Sequence, residues 1–178
     1  MDVATLAGGC FWCTEAVFSR LRGVHRVTSG YCGGDKANPT YEEVCTGTTG
    51  HAEAVQISFD REVVSFRQLL EVFFSIHDPT TLNRQGADTG TQYRSSIFVH
   101  SPEQRRESEA MIAELDASSC WMSPIVTEVV AAPAFYPAEP IHQGYFEAHP
   151  GQGYCAIVIN PKVAAFRRSF TTLIKDSN

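Results

Sequence analysis

Gly8-Gly9-Cys10-Phe11-Trp12-Cys13-Thr14-Glu15 joins two stretches of different periodicity. Before it, Val3, Leu6 and Ala7 form a short apolar run of the kind a buried strand shows. After it, Ala16, Val17, Leu21 and Val24 recur at helical spacing. The two glycines permit a tight turn between them. A strand handing over to a helix at Cys10 sets its thiol beside the unpaired N–H groups of a first helical turn. Their partial positive charge favours the nucleophilic thiolate. Phe11 and Trp12 come next, so the sulfur is expected at the edge of a small apolar pocket. An ordinary buried cysteine would explain Cys10 alone, but not a Gly-Gly approach and two bulky aromatics in one short turn.

Working outward, Val24–Tyr31 alternates and is expected as a strand, broken by Cys32-Gly33-Gly34-Asp35. A loop carries Asn38-Pro39-Thr40-Tyr41, and Thr46–Gly50 is rich in turn residues. Ala54–Phe59 is a strand, with Val55, Ile57 and Phe59 on one face. Ser65 and Gln68 form a capping box for a helix whose inner stripe is Phe66, Leu69, Leu70, Phe73, Phe74 and His77. Asp78-Pro79 stops it. Thr80–Gln92 has no period and is expected as a loop; Tyr93–His100 is expected as a strand. Ser101-Pro102 starts a further helix, with Ser108, Met111, Ile112 and Leu115 inward. Ile125–Ala131 is expected as a strand, Ile141–Ala148 as a short helix, and Asn160-Pro161 as the start of a last one.

Two consecutive β-α-β units in 178 residues point to an α/β (α+β) fold, a ferredoxin-like split β-α-β core. Extra helices and a long irregular C-terminal tail complete the expectation. No linker divides the chain, so residues 1–178 are expected to form one domain. The net charge of −6 argues against nucleic acid or an anionic membrane as the main partner. No apolar run approaches the roughly 20 residues of a membrane span, and no secretory leader is visible. Six cysteines without a leader suit a reducing cytoplasm, where disulfides tend to be transient and catalytic.

Four clusters carry chemistry: Cys10-Phe11-Trp12-Cys13, Gly50-His51-Ala52-Glu53, Asp88–Arg94 and Gly153-Tyr154-Cys155, with Tyr41 alone in its loop. Six strings run in order through the chain: GGCFWCTEAVF (8–18), SGYCGG (29–34), NPTYEEV (38–44), TGHAEAV (49–55), HDPTTLNRQGADTGTQYRS (77–95) and HQGYFEAHPGQGYC (142–155). In these strings the chain resembles the A-type peptide methionine sulfoxide reductases, whose ferredoxin-like α/β core agrees with the pattern above.

The resemblance implies reduction of the S epimer of methionine sulfoxide, free or in proteins, as a repair of oxidative damage. It implies Cys10 as the attacking thiolate and Glu53 as the proton donor to the sulfoxide oxygen. A carboxyl in an apolar pocket holds its proton near neutral pH, which suits that role. Tyr41 and Tyr93 match hydroxyls that hold the oxygen, and Asp88 matches an acid on the polar side of the site. Phe11 and Trp12 would bracket the substrate methyl group. Cys10 is left as a sulfenic acid. Cys155 matches the tail cysteine that resolves it and is the preferred resolver. Cys13 stands where many members carry glycine and is a rival. No third, recycling cysteine follows Cys155. Thioredoxin would reduce the resulting disulfide; no cofactor is implied, and a monomer is expected.

Plainer readings attach to the remaining residues. Cys32, Cys45 and Cys120 are expected to be structural or incidental, and His77 a core histidine. His51 either positions Glu53 or is structural, and Glu15 favours its own helix N-terminus through its charge. A thioredoxin-like C-x-x-C enzyme would leave Glu53 and the tyrosines without a role. A structural zinc site would want a second close ligand pair. A pure redox sensor would need no substrate pocket.

Overall fold

The apolar run before Gly8 is a strand, β1 (Asp2–Ala7), and the chain turns through Gly9 into helix α1 (Phe11–Phe18). The computed structural model describes residues 1–176. Gly9 has φ +91°, and a Cβ there would stand 2.8 Å from Cγ of Gln85. At Gly8 a Cβ would press on the rings of Phe73 and His77 at 3.0 Å. Both glycines therefore answer a close approach. The turn is wedged between a later helix and a later loop.

The chain continues through β2 (Val24–Cys32), a short α2 (Tyr41–Cys45), β3 (Ala52–Phe59) and α3 (Phe66–Ile76). A two-residue ladder of β4 (Arg84–Gln85) and β5 (Asp88–Thr89) and a 3-10 turn at Thr91–Tyr93 precede β6 (Ser96–Val99). Then come α4 (Pro102–Ser118), β7 (Glu128–Ala131), β8 (Phe135–Pro137), α5 (Tyr145–Ala148) and α6 (Asn160–Ser169).

The main sheet has the order β7-β6-β1-β3-β2-β8. β1 and β2 both pair antiparallel with β3, so they run parallel with β3 inserted between them. β3 and β6 flank β1 in the same manner. These are the two split β-α-β units the sequence implied. β7 adds in parallel beside β6, and β8 extends the other edge antiparallel to β2. Among the described residues no helix is long and apolar enough to cross a membrane.

The capping signals act as expected. Ser65 Oγ accepts from the Gln68 N–H at 3.1 Å, and the Gln68 side chain accepts from the Ser65 N–H at 2.9 Å. Ser101 caps α4 through the Gln104 N–H. Several expectations need correction. α1 is not amphipathic: seven of its eight residues are buried, because the sheet covers one side and α5 and α6 the other. Leu21 and Val24 lie beyond it. The strand expected from Tyr93 begins at Ser96, since Thr91–Tyr93 forms a 3-10 turn. The tail is ordered, not irregular. β8 pairs with β2, and the Gln143 amide bonds both N–H and C=O of Ser29, at 2.9 and 2.8 Å, as a strand neighbour would. Helix α2 went unseen in the loop, although Thr40 and Glu43 form a complete capping box.

Gly9→Ala combines a left-handed backbone with a clash on Gln85. It is expected to cost about 1–2 kcal/mol or more, read as a lowered urea midpoint. Gly86→Ala is the control for the backbone part alone, because Gly86 is also left-handed at φ +58° but nothing lies within 4 Å of a Cβ there.

Candidate active site

Cys10 is the N-cap of α1, extended at ψ 127°, with its side chain free of any capping bond. It is half-buried. The backbone N–H of Trp12, on the sulfur's side of the first turn, favours the thiolate, as a helix start should. Burial outweighs it. Desolvation, followed by the charges of Glu53, Cys13 and Asp88, holds the Cys10 thiol well above its ordinary range. Burial thus opposes the thiolate that the helix start favours.

Glu53 stands on β3, 1% exposed. One carboxyl oxygen, Oε1, accepts the Phe11 N–H at 3.2 Å. Its other oxygen, Oε2, is buried without a hydrogen-bond partner among the described residues. Desolvation is the largest influence on this carboxyl. The Phe11 N–H opposes it and Asp88 adds to it, and the pKa is pushed up to about 8. Glu53 is thus a neutral acid at pH 7, with one oxygen free to act on a ligand.

The tyrosine hydroxyls gather around this acid. Tyr41 opens α2, and Tyr93 ends the 3-10 turn. Burial is the largest influence on both phenols and raises them, with the neighbouring Glu53 next. They stay protonated and able to donate. Tyr154 Oη donates to Asp88 Oδ2 at 2.7 Å, which draws the tail onto the loop that carries Asp88.

The apolar wall is built from rings. Phe11 has no exposed surface and packs against Tyr31, Tyr41 and His142 at centroid distances of 5.7, 6.2 and 5.5 Å. Trp12 stands at the opening. It stacks on Tyr145 at 3.8 Å and 10°, meets Tyr154 edge-on, and donates from Nε1 to His142 Nδ1 at 3.1 Å.

The sequence pattern did not single out the residues that hold these parts together. Glu139 accepts the Tyr31 hydroxyl at 3.0 Å and the Tyr41 N–H at 3.1 Å. His142 and Tyr145 cover Trp12. No local signal marks any of the three, because their partners lie about 100 residues or more earlier. Glu15 serves elsewhere than expected: both its oxygens accept the Gly144 N–H, at 2.7 and 2.9 Å, pinning the tail to α1. His51 does not support Glu53. It accepts from the Gly34 N–H and pairs with the Lys36 carbonyl, fixing a loop. His77 is a core residue between the Phe73 carbonyl and the Ser95 hydroxyl, lowered to about 4 by burial.

All six cysteines are free thiols. Cys13 lies one helical turn from Cys10 and is 6% exposed. Cys155 is fully buried and opens a π-helical turn, Cys155–Ile159, that runs into α6. Its neighbour Tyr154 reaches the site. Cys32 is buried, whereas Cys45 and Cys120 are exposed.

The family model for peptide methionine sulfoxide reductase matches residues 2–174. A peptide methionine sulfoxide reductase MsrA of Polynucleobacter asymbioticus is 58% identical over 174 residues, covering 98% of this chain and 92% of that protein. Among solved structures, reduced Mxr1 from Saccharomyces cerevisiae superposes with a TM-score of 0.79 at 37% identity, over 89% of this chain and 90% of that one. Mxr1 in complex with Trx2 matches with a TM-score of 0.56 at 30% identity, over 81% and 84%. With matches along nearly the whole chain, this protein belongs to the peptide methionine sulfoxide reductase family.

Proposed function

We propose that the chain, as one reductase domain over 1–178, reduces the S epimer of methionine sulfoxide, free or in proteins, with Glu53 as acid and Cys10 as nucleophile. The observation that carries this is the buried, protonated Glu53 carboxyl, whose Oε2 has no partner among the described residues. A sulfoxide oxygen supplies the missing acceptor. Tyr41 and Tyr93 donate to the same oxygen, Asp88 holds the polar side through Tyr154, and the methyl group lies against Trp12 with Phe11 behind it.

Proton transfer to the sulfoxide leaves positive charge on the substrate sulfur, beside Cys10. That charge favours the thiolate where burial alone opposes it. The Cys10 sulfur attacks the substrate sulfur, its proton replacing the one Glu53 gave. An S–S bond forms as the S–O bond breaks; the released hydroxide then adds to the Cys10 sulfur as that S–S bond breaks, so methionine leaves and Cys10 is left as a sulfenic acid. A second thiol then forms a disulfide and releases water.

Two thiols compete for that step. An (i, i+3) pair on a helix has Cα atoms about 5 Å apart by helix geometry, within the span a disulfide accepts. The Cys13 N–H also bonds to the Cys10 carbonyl at 3.2 Å. Cys13 therefore resolves without backbone movement. Buried Cys155 needs its π-helical turn to open, and it is the second resolver, reached through the segment that Tyr154 ties to the site. Thioredoxin reduces the bridge by thiol exchange. The Trx2 complex of Mxr1 supports this reductant, and six thiols in one chain suit a cytoplasmic, monomeric enzyme.

Because Glu53 is raised, its acid form is present below about 8 and is lost as pH rises through that value. In single-turnover assays, kcat/KM should fall about tenfold per pH unit above that point. Glu53→Gln should lower the rate by about 10²–10⁴-fold and abolish this alkaline limb. An unchanged rate at pH 7 would remove Glu53 from the mechanism.

Mass mapping after one turnover without reductant should find a Cys10–Cys13 bridge in the wild type and a Cys10–Cys155 bridge in Cys13→Ser. A 10–155 bridge alone in the wild type would give the role to the tail.

Glu139 positions Tyr41 through its backbone. Glu139→Ala should cost about tenfold in kcat/KM, the worth of one charged hydrogen bond, with Glu139→Gln recovering most of it. In a Tyr41→Phe background the same change should add little. Equal loss in both backgrounds would mean Glu139 acts on stability alone.

A further inference from the structure

The end of α3, Trp121 in the connection between α4 and β7, and one face of α6 enclose a cavity of about 270 Å³. Its walls are largely apolar, with Ile76, Trp121, Phe166 and Phe170. Two charged side chains, Asp78 and Lys162, line the same cavity. Asp78 Oδ1 accepts from the Thr80 N–H and hydroxyl at 2.9 and 2.6 Å, whereas Oδ2 accepts no hydrogen bond among the described residues. Lys162 is half-buried and forms no ion pair among the described residues, with Asp78 or with any other acid. His77 also reaches the cavity, but both its ring nitrogens are engaged, by the Phe73 carbonyl and the Ser95 hydroxyl.

None of the residues placed in the reaction lines this cavity. Gln85 is a wall it shares with the turn before Cys10: its amide bonds both N–H and C=O of Asp78, at 2.7 and 2.9 Å, and its stem packs on Gly9. Two opposite charges thus face one apolar cavity without meeting each other. A ligand that carries both charges satisfies both at once, and a ligand with one leaves the other without a partner in a partly desolvated place. The volume lies just below the range of roughly 300–1,000 Å³ common for small-molecule sites, so the ligand is small. The aromatic walls take its apolar part.

We propose that this groove is a second binding site, for a free α-amino acid with an apolar side chain. The carboxylate lies on Lys162, the ammonium on Asp78, and the side chain against Trp121 and Phe170. A residue inside a peptide carries neither charge on its backbone, so the groove takes the free amino acid and not a protein chain. Binding here uses no group of the sulfoxide reductase reading and stands apart from it.

The test is titration of the nitrogen-15-labelled full chain with L-norleucine, which has no sulfur to be oxidised or reduced. The chain has two tryptophans, Trp121 in the groove and Trp12 at the reaction pocket, so their indole N–H signals in the NMR spectrum report the two places separately. Trp12→Phe assigns them. Norleucine should shift the Trp121 signal saturably, before any shift of Trp12. N-acetylnorleucine, which lacks the ammonium, and norleucinamide, which lacks the carboxylate, should each bind about tenfold or more weakly, the effect of losing one charged hydrogen bond. Lys162→Gln should weaken norleucine by a similar factor and leave norleucinamide unchanged. The ligand series needs no substitution, so it decides the matter even where a variant does not fold. No saturable shift at Trp121, a shift at Trp12 alone, or equal binding of the blocked ligands would each overturn the proposal. Sulfoxide turnover by the same sample tests the reductase reading separately.

Discussion

The site depends on one bond between distant parts of the chain, from the Phe11 N–H to the buried carboxyl of Glu53 at 3.2 Å. It joins the first turn of α1 to β3, and so fixes the nucleophile beside the acid. It also consumes one carboxyl oxygen and leaves the other unpaired. An unpartnered buried polar atom normally costs stability. Here the cost is limited by protonation, because desolvation pushes the acid up to about 8 and the neutral form is the one buried.

The same burial raises Cys10, and this inverts the simplest picture of a helix-activated thiol. One N–H from Trp12 cannot offset the loss of water and the nearby acids. The resting site is therefore doubly protonated, with acid and nucleophile both neutral. In the proposed reaction, charge separation waits for the substrate, whose sulfur carries the missing positive charge once its oxygen is protonated. Such a site is quiet towards other electrophiles, since the thiolate is the reactive form.

The tail completes the pocket, not the core alone. Glu15, Trp12, Tyr41 and Asp88 each hold one tail residue: Gly144, His142, Glu139 and Tyr154 in turn. The Gln143 amide and β8 anchor the stretch to β2. The apolar opening therefore depends on a segment remote in sequence from every residue placed in the chemistry except Cys155. A π-helical turn directly after Tyr154 is an under-wound, costly geometry often found at functional sites.

Much of this was legible in the residues themselves. The Gly-Gly turn, the capping boxes of Ser65 and Ser101, and the alternation of Val55, Ile57 and Phe59 are local, and period and cap chemistry fix them without tertiary help. The ordered motifs carry Cys10, Glu53, Tyr41, Tyr93 and Asp88, the residues proposed for the chemistry. Their surroundings were not legible. Whether α1 is amphipathic or enclosed depends on what packs on its outer side. Whether Glu53 is charged depends on water that β3 and α1 exclude together. Whether Cys155 is mobile or buried depends on the turn it starts and on the helix that follows. Sequence carries the bonding preferences of each side chain; only the folded chain sets the solvent exclusion and the long-range partners that decide which protonation state and which thiol is available.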